Sequence, residues 1–329
     1  MKFGILASHQ YPPDEDLGER LAELFGLVEF AAESGYDSVF SINHFLGNLN
    51  TPQVLSTTAK LLEHSGSMQV GTGILLLPFF HPIQIAEEFA TLDQLSGGRM
   101  ILGVGAGYRD NEFKAFGVDK KTRMGRMREG IELIRALWSN DEVDYHGKYF
   151  TLEGERIGVP PVQSGGPPVW VGGGTQPSIE RAARIADAWF APGNAPDPSW
   201  LQTATGWYDE ALEAEGRTEA ITDRPIIVEL FCGESTQQAR DACHPYVKDE
   251  YFTYSDYPQL RWQKTKFDTL WDEIFLIGSP DDVASGIARL EELGFNHVIF
   301  RPFWTRMPIE LARRSVQLVA EEVMPRFKG

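Results

Sequence analysis

The chain has 329 residues of ordinary globular composition, enough for a large core, which excludes a disordered tail, a collagen and a small disulfide-stapled module. Lys plus Arg number 30 against 47 Asp plus Glu, a formal net charge of −17, so the average surface repels phosphate backbones and anionic headgroups, and neither nucleic-acid nor membrane binding is expected. Two cysteines, Cys232 and Cys243, are too few for a disulfide framework and form no CxxC pair, so both read as core or loop thiols.

The first residues, Lys2-Phe3-Gly4-Ile5-Leu6-Ala7, read as a strand with no basic leader before a long apolar core. No stretch approaches the ~18 apolar residues of a membrane span, and a soluble cytoplasmic chain is expected. Leu21, Leu24, Phe25, Val28, Ala31 and Ala32 recur at helical spacing up to the stop at Gly35. A strand over 38–40, a helix over 51–64, a buried strand over 68–77, a helix over 82–95 closed by Gly97-Gly98 and a strand over 100–104 follow. After a loop over 112–123 and a helix over 126–138, residues 141–168 read as an insertion with a small hairpin at His146-Gly147. The alternation resumes with strands over 169–171, 188–191 and 226–232 and helices over 178–185 and 200–214. Residues 237–275 break it: they are rich in Tyr and Trp without clear periodicity and read as an irregular lid or a partner interface. A helix over 280–293, a strand over 297–301 and a closing helix through Ile309, Ala312, Val316, Val319 and Val323 complete eight βα units. The expectation is α/β class, one (β/α)8 TIM barrel spanning 1–329.

Chemistry in such a barrel lies at the C-terminal strand ends. No HExxH pair, no metal-ligand spacing among the histidines, no GxSxG elbow, no strand-end Lys for a Schiff base and no paired carboxylates there are found, which disfavours zinc hydrolases, serine hydrolases, aldolases and glycosidases. Gly103-Val104-Gly105-Ala106-Gly107 fails the dinucleotide pattern, because Tyr108 stands where its third glycine belongs. These glycines serve either a tight turn or close approach of a flat ring to the backbone. Gly172-Gly173-Gly174-Thr175 precedes a helix with Pro177 in its first turn, and reads either as a phosphate cradle or as a plain helix cap. His44, beside Asn43 at a strand end, is either a general base and hydrogen-bonding partner for a bound oxygen species or an ordinary loop histidine. Arg301 either binds an anionic or carbonyl group in the mouth or pairs with a barrel carboxylate. Phe79, Phe80, Phe303 and Trp304 mark an apolar pocket or rim packing.

In order, His81-Pro82, Leu92-Asp93-Gln94-Leu95-Ser96-Gly97-Gly98-Arg99, Leu102 to Gly107, Glu112-Phe113, Phe116-Gly117, Arg128-Glu129, Leu137-Trp138, Pro160-Pro161-Val162-Gln163, Pro168 to Gly173 and Ile277-Gly278-Ser279-Pro280 resemble the bacterial luciferase-like flavin monooxygenase family over nearly the whole chain. The resemblance implies a barrel, usually a homodimer, that holds FMN or a deazaflavin coenzyme in its mouth. The phosphate would sit on the turn of Gly173, Gly174 and Thr175, with a non-proline cis peptide at Gly73-Ile74 under the ring, and Thr72, Gly105, Gly107 and Gly172 are further expected cofactor contacts. His44 and Asn43 are the implied catalytic pair, and Tyr108, Arg301 and Trp304 the expected substrate contacts. Asn43 stands where luciferases have a second histidine and many deazaflavin enzymes an aspartate. Ala106 replaces a luciferase arginine, and Tyr108 the acid of deazaflavin sugar-phosphate dehydrogenases. The function expected is oxygenation of a small, largely apolar molecule by reduced FMN and oxygen, with the flavin reduced by a separate NAD(P)H-dependent reductase. Hydride transfer from a deazaflavin coenzyme and a non-catalytic flavin-binding barrel are the alternatives.

Overall fold

The computed structural model describes residues 1–328. Eight strands, β1 (Lys2–Ala7), β2 (Ser38–Ser41), β3 (Gln69–Thr72), β4 (Met100–Gly105), β5 (Val169–Gly172), β6 (Ala188–Pro192), β7 (Pro225–Cys232) and β8 (His297–Arg301), pair in parallel, each with the next in sequence. A parallel ladder of β8 on β1 closes the ring into the expected (β/α)8 barrel. Helices α1 (Leu17–Glu33), α2 (Val54–His64), α3 (Pro82–Ser96), α4 (Arg123–Ser139), α5 (Gln176–Ile185), α6 (Trp200–Ala214), α7 (Thr236–Tyr254), α8 (Pro280–Glu292) and α9 (Ile309–Leu318) account for most of the remaining chain. The strands are short and apolar on both faces because helices cover the outside while side chains fill the inside. Inside, Phe40 stacks on Trp170 at 5.4 Å, and Phe190 lies 5.2 Å from Phe40 and 5.3 Å from Trp170. With Leu6, Ile101 and Ile299 these rings plug the barrel. Below them His297 Nε2 meets Ser38 Oγ at 2.7 Å, both fully buried.

Several resemblance motifs turn out to be scaffolding. Buried Asp93, near the end of α3, accepts from the backbone N–H groups of Val162 and Gln163, both at 2.8 Å, and from Gln163 Nε2 at 2.7 Å, so it ties down the Pro160-Pro161-Val162-Gln163 turn. Arg99 donates from Nε to Ser96 O at 2.8 Å and from Nη1 to Ser65 Oγ and Met68 O, fastening the start of β4 to the end of α2. Gly97, at φ 67°, supplies the left-handed residue that ends α3.

Four expectations need correction. Residues 237–275 are largely helical: α7 runs through Pro245, and its buried positions Ala239, Cys243, Val247, Glu250 and Tyr251 keep helical spacing, with a charged residue on the buried face. The expected loop over 112–123 includes the end of a short helix, Asp110–Ala115. The third strand does not run unbroken over 68–77: β3 ends at Thr72, the Gly73-Ile74 peptide is cis as the resemblance implied, and pairing resumes at Leu75–Leu76 against Val104 and Gly105. An additional strand, Leu276–Gly278, lies parallel to β7 outside the ring. The hairpin is present as Val143–His146 against Thr151–Glu155. Both cysteines are buried, and burial pushes each thiol up to about 12. Among the described residues no helix is long and apolar enough to cross a membrane.

Candidate active site

A cavity of about 610 Å3 opens at the C-terminal ends of the barrel strands, with Leu6 and Phe190 of the ring plug in its wall. This volume suits a cofactor together with a small second ligand. Its walls come from the loops after most of the eight strands, which brings sequence-distant residues together.

One end is built by the turn after β5. Ser178 Oγ accepts from Thr175 N at 2.9 Å and donates to Thr175 O at 2.7 Å, which fixes the first turn of α5. The amide of Gly174 has no hydrogen-bond partner among the described residues, and a Cβ on Gly173 would lie 2.5 Å from Ser178 Oγ, so the cradle admits no side chain there. Arg123, at the start of α4, lines the same cavity, and the adjacent Met124 Sδ lies 3.5 Å from Arg181 Nη1 of α5. Arg123 Nη1 donates to Lys120 O at 2.8 Å, its buried Nε is unpartnered, and it forms no ion pair among the described residues. A free amide, a hydroxyl and an unpaired guanidinium at a helix N-terminus fit a phosphate. Sequence reading missed Arg123, because an arginine beginning a helix has no local signature.

The GxGxG glycines divide by role. A Cβ on Gly103 would lie 1.8 Å from Thr72 O, and one on Gly105 would lie 1.7 Å from Ile74 Cδ1, so these two allow β3 and β4 to approach. Gly107, at φ 74°, turns the chain and lines the cavity. Gly105 therefore acts through Ile74, which itself lines the cavity, and not by direct exposure. Thr72 is likewise withdrawn: its hydroxyl donates to Gly103 O at 2.6 Å inside the barrel. Gly73, Ile74, Gly172, Gly173, Gly174 and Thr175 all line the cavity.

At the other end His44 and Asn43 follow β2. Asn43 Oδ1 accepts from Leu76 N at 3.1 Å, leaving Nδ2 as a buried donor without a partner. His44 Nδ1 lies 3.4 Å from Oε1 of Glu112, whose side chain is wholly buried and also accepts from Phe45 N at 2.8 Å. Burial pulls the imidazole below its ordinary range, opposed by Glu112 and reinforced by the charges of Arg109 and Arg301, so His44 is neutral near pH 7. Tyr108 and Tyr254 pack their rings around His44, at 5.8 and 6.5 Å between centroids. Buried Arg109 lies over the Tyr257 ring at 4.3 Å and holds the end of α7 against the loop after β4.

Arg301 lines the cavity, but it is paired: Nη1 donates to Glu250 Oε1, and Nε lies 3.5 Å from Glu229 Oε2. Of the two sequence alternatives for this arginine, the structure has the carboxylate pairing. Trp304 does not reach the cavity; it is buried, and its Nε1 donates to Glu229 Oε2 at 3.0 Å. Glu229, Glu250 and Gln263, which line this end, were not anticipated, whereas Tyr251 and Tyr254 fall in the segment expected to form a lid or partner interface and line the cavity as part of α7.

A family model described as luciferase-like monooxygenase matches residues 1–297. An F420-dependent glucose-6-phosphate dehydrogenase of Amycolatopsis mediterranei is 28% identical, with 94% of this chain and 97% of the relative covered. A 4-hydroxyprotoasukamycin monooxygenase of Streptomyces nodosus subsp. asukaensis is also 28% identical, covering 100% of this chain and 93% of its own. Among solved structures, the monooxygenase RslO1 from Streptomyces bottropensis superposes with a TM-score of 0.90 at 24% identity, over 99% of this chain and 100% of its own.

Proposed function

We propose, from the premise that this chain belongs to the luciferase-like monooxygenase family, that it is an oxidoreductase using reduced FMN and dioxygen to oxygenate a small, largely apolar molecule. The observation that carries this reading is one cavity joining a carboxylate-free arginine at a phosphate-sized cradle to a neutral histidine and an unpartnered amide donor. The unpartnered Asn43 Nδ2 and the glycine-lined wall fit a flat, hydrogen-bonding ring. Reduced FMN, when bound, supplies the electrons with which one oxygen atom enters the substrate and the other leaves as water.

The chain's own residues bind, position and protect. Arg123, Gly174 and Thr175 hold the phosphate. Asn43 Nδ2 donates a hydrogen bond at the reacting end, and His44, neutral, accepts or delivers a proton there. Tyr108, Tyr254 and Leu260 of the cavity wall exclude bulk water. The 28% identical Streptomyces nodosus monooxygenase supports the oxygen chemistry. The same reading includes a separate NAD(P)H-dependent flavin reductase, a homodimeric barrel and a cytoplasmic location.

The equally similar dehydrogenase of Amycolatopsis mediterranei favours a second reading, hydride transfer with a deazaflavin coenzyme, in which His44 exchanges the substrate proton. Anaerobic titration with reduced FMN and with reduced deazaflavin, followed by admission of oxygen, separates the two. Tight binding of reduced FMN with oxygen-dependent turnover supports the monooxygenase. Binding of the deazaflavin alone, with turnover indifferent to oxygen, refutes it in favour of hydride transfer.

A further inference from the structure

The two ends of the cavity differ in charge. At the Gly174 end Arg123 is a cation with no carboxylate partner among the described residues. At the other end the lining cation is Arg301, and it faces two lining carboxylates. Both carboxylates are fixed in place. Glu250 Oε2 accepts from Thr305 N at 2.9 Å and from Thr305 Oγ1 at 3.1 Å, while Glu229 accepts from Tyr251 Oη at 2.9 Å and from Trp304 Nε1 at 3.0 Å. A carboxylate has about four acceptor sites, so neither is saturated, and each keeps capacity for a further donor. Behind this wall lie one buried cation, Arg109 among the rings of Tyr108, Tyr254 and Tyr257, and one buried carboxylate, Glu112 beside a neutral His44, so they leave the count unchanged. The polar end therefore holds one carboxylate more than it has cations.

We infer that this end of the cavity takes a second ligand whose polar head donates hydrogen bonds and is cationic or uncharged, an amine or a hydroxyl, and that it rejects carboxylate and phosphate heads. The inference deepens the proposed reading and rests on it only in giving the Arg123 end to the flavin phosphate. An anionic head would meet two carboxylates for one arginine, whose Nη1 donates to Glu250 and whose Nε lies 3.5 Å from Glu229, in a setting where charges are weakly screened. An ammonium or hydroxyl would instead meet acceptors held open by Thr305, Tyr251 and Trp304.

The test uses benzylamine, benzyl alcohol and benzoate, which share a ring and differ mainly in head charge. Their binding is measured by calorimetry at pH 7 on protein saturated with oxidised FMN, and again on Arg123→Ala protein, where the other lining cation is gone. Benzylamine is expected to bind at least tenfold more tightly than benzoate in both, with benzyl alcohol between them. In Glu250→Gln protein the amine preference is expected to shrink by a comparable factor. Benzoate binding as tightly as benzylamine, or no binding by benzylamine, overturns the inference. Failure of FMN to saturate the protein is a separate outcome: it counts against the proposed cofactor, while the Arg123→Ala series still decides the charge preference.

Discussion

Replacing His297 by glutamine tests whether the ring plug holds a neutral imidazole beneath the site. The side chain is fully buried, with Nε2 at 2.7 Å from Ser38 Oγ and the Trp170 ring edge-on at 5.6 Å. Burial, with Lys2 adding to it, pulls the imidazole from its ordinary 6.5 down to about 3. The unfolded chain therefore takes up a proton near pH 6.5 that the folded chain refuses until about pH 3, so this contribution to stability is complete above pH 6.5 and is lost as pH falls toward 3. At pH 5 the loss amounts to ~2 kcal/mol, and the full term approaches ~5 kcal/mol at about pH 3 and below. His9, held by burial at about 4, contributes a similar loss over nearly the same window. Glutamine reaches the same Ser38 hydroxyl and does not titrate. Urea unfolding followed by tryptophan fluorescence between pH 5 and 8 is expected to show a shallower pH dependence in the variant, by roughly one proton or ~1.4 kcal/mol per pH unit between pH 5 and 6. The variant is less stable at pH 8, by ~1–3 kcal/mol for the repacked core, and the gap narrows by ~2 kcal/mol at pH 5. Parallel curves for the two proteins would refute a neutral buried His297.

Two further outcomes are expected at the cavity. Arg123→Ala should weaken FMN binding by about 10- to 100-fold, the worth of one charge-assisted hydrogen bond, while leaving riboflavin binding unchanged; equal losses for both flavins in a fluorescence-quenching titration would show that Arg123 does not read the phosphate. Glu112 raises the basicity of His44 against burial, so Glu112→Gln should move the acid limb of the kcat/KM profile to lower pH. A limb that stays put or moves up would remove Glu112 from the role of positioning His44.

The barrel was legible because parallel strands covered on both faces read as short apolar runs, and their partner helices carry clear stops such as Gly97. The phosphate-like end was legible for a related reason: consecutive glycines before a proline-containing helix start leave a pattern in the chain itself. Arg123 left none, since its place in the cavity wall depends on how α4 and α5 lie beside each other. α7 escaped for a different physical reason. Its buried positions Ala239, Cys243, Val247, Glu250 and Tyr251 do keep helical spacing, but Pro245 within the run and the charge of Glu250 on the buried face mask the pattern. Among the residues that carried the family resemblance, Asp93 and Arg99 serve turns and strand starts and do not line the cavity. They identify the scaffold and leave the chemistry of the second ligand to residues that no motif marks.

The two halves of the cavity differ in part in their origins in the chain. The Gly174 and Arg123 end belongs wholly to the repeating units of the barrel, whereas the other end adds Glu250, Tyr251 and Tyr254, from a helix between β7 and α8, to barrel residues Glu229, Arg301 and His44. A change in α7 can retune which molecule is admitted without touching the strands that close the ring, so diversification of substrate range needs no redesign of the cofactor end.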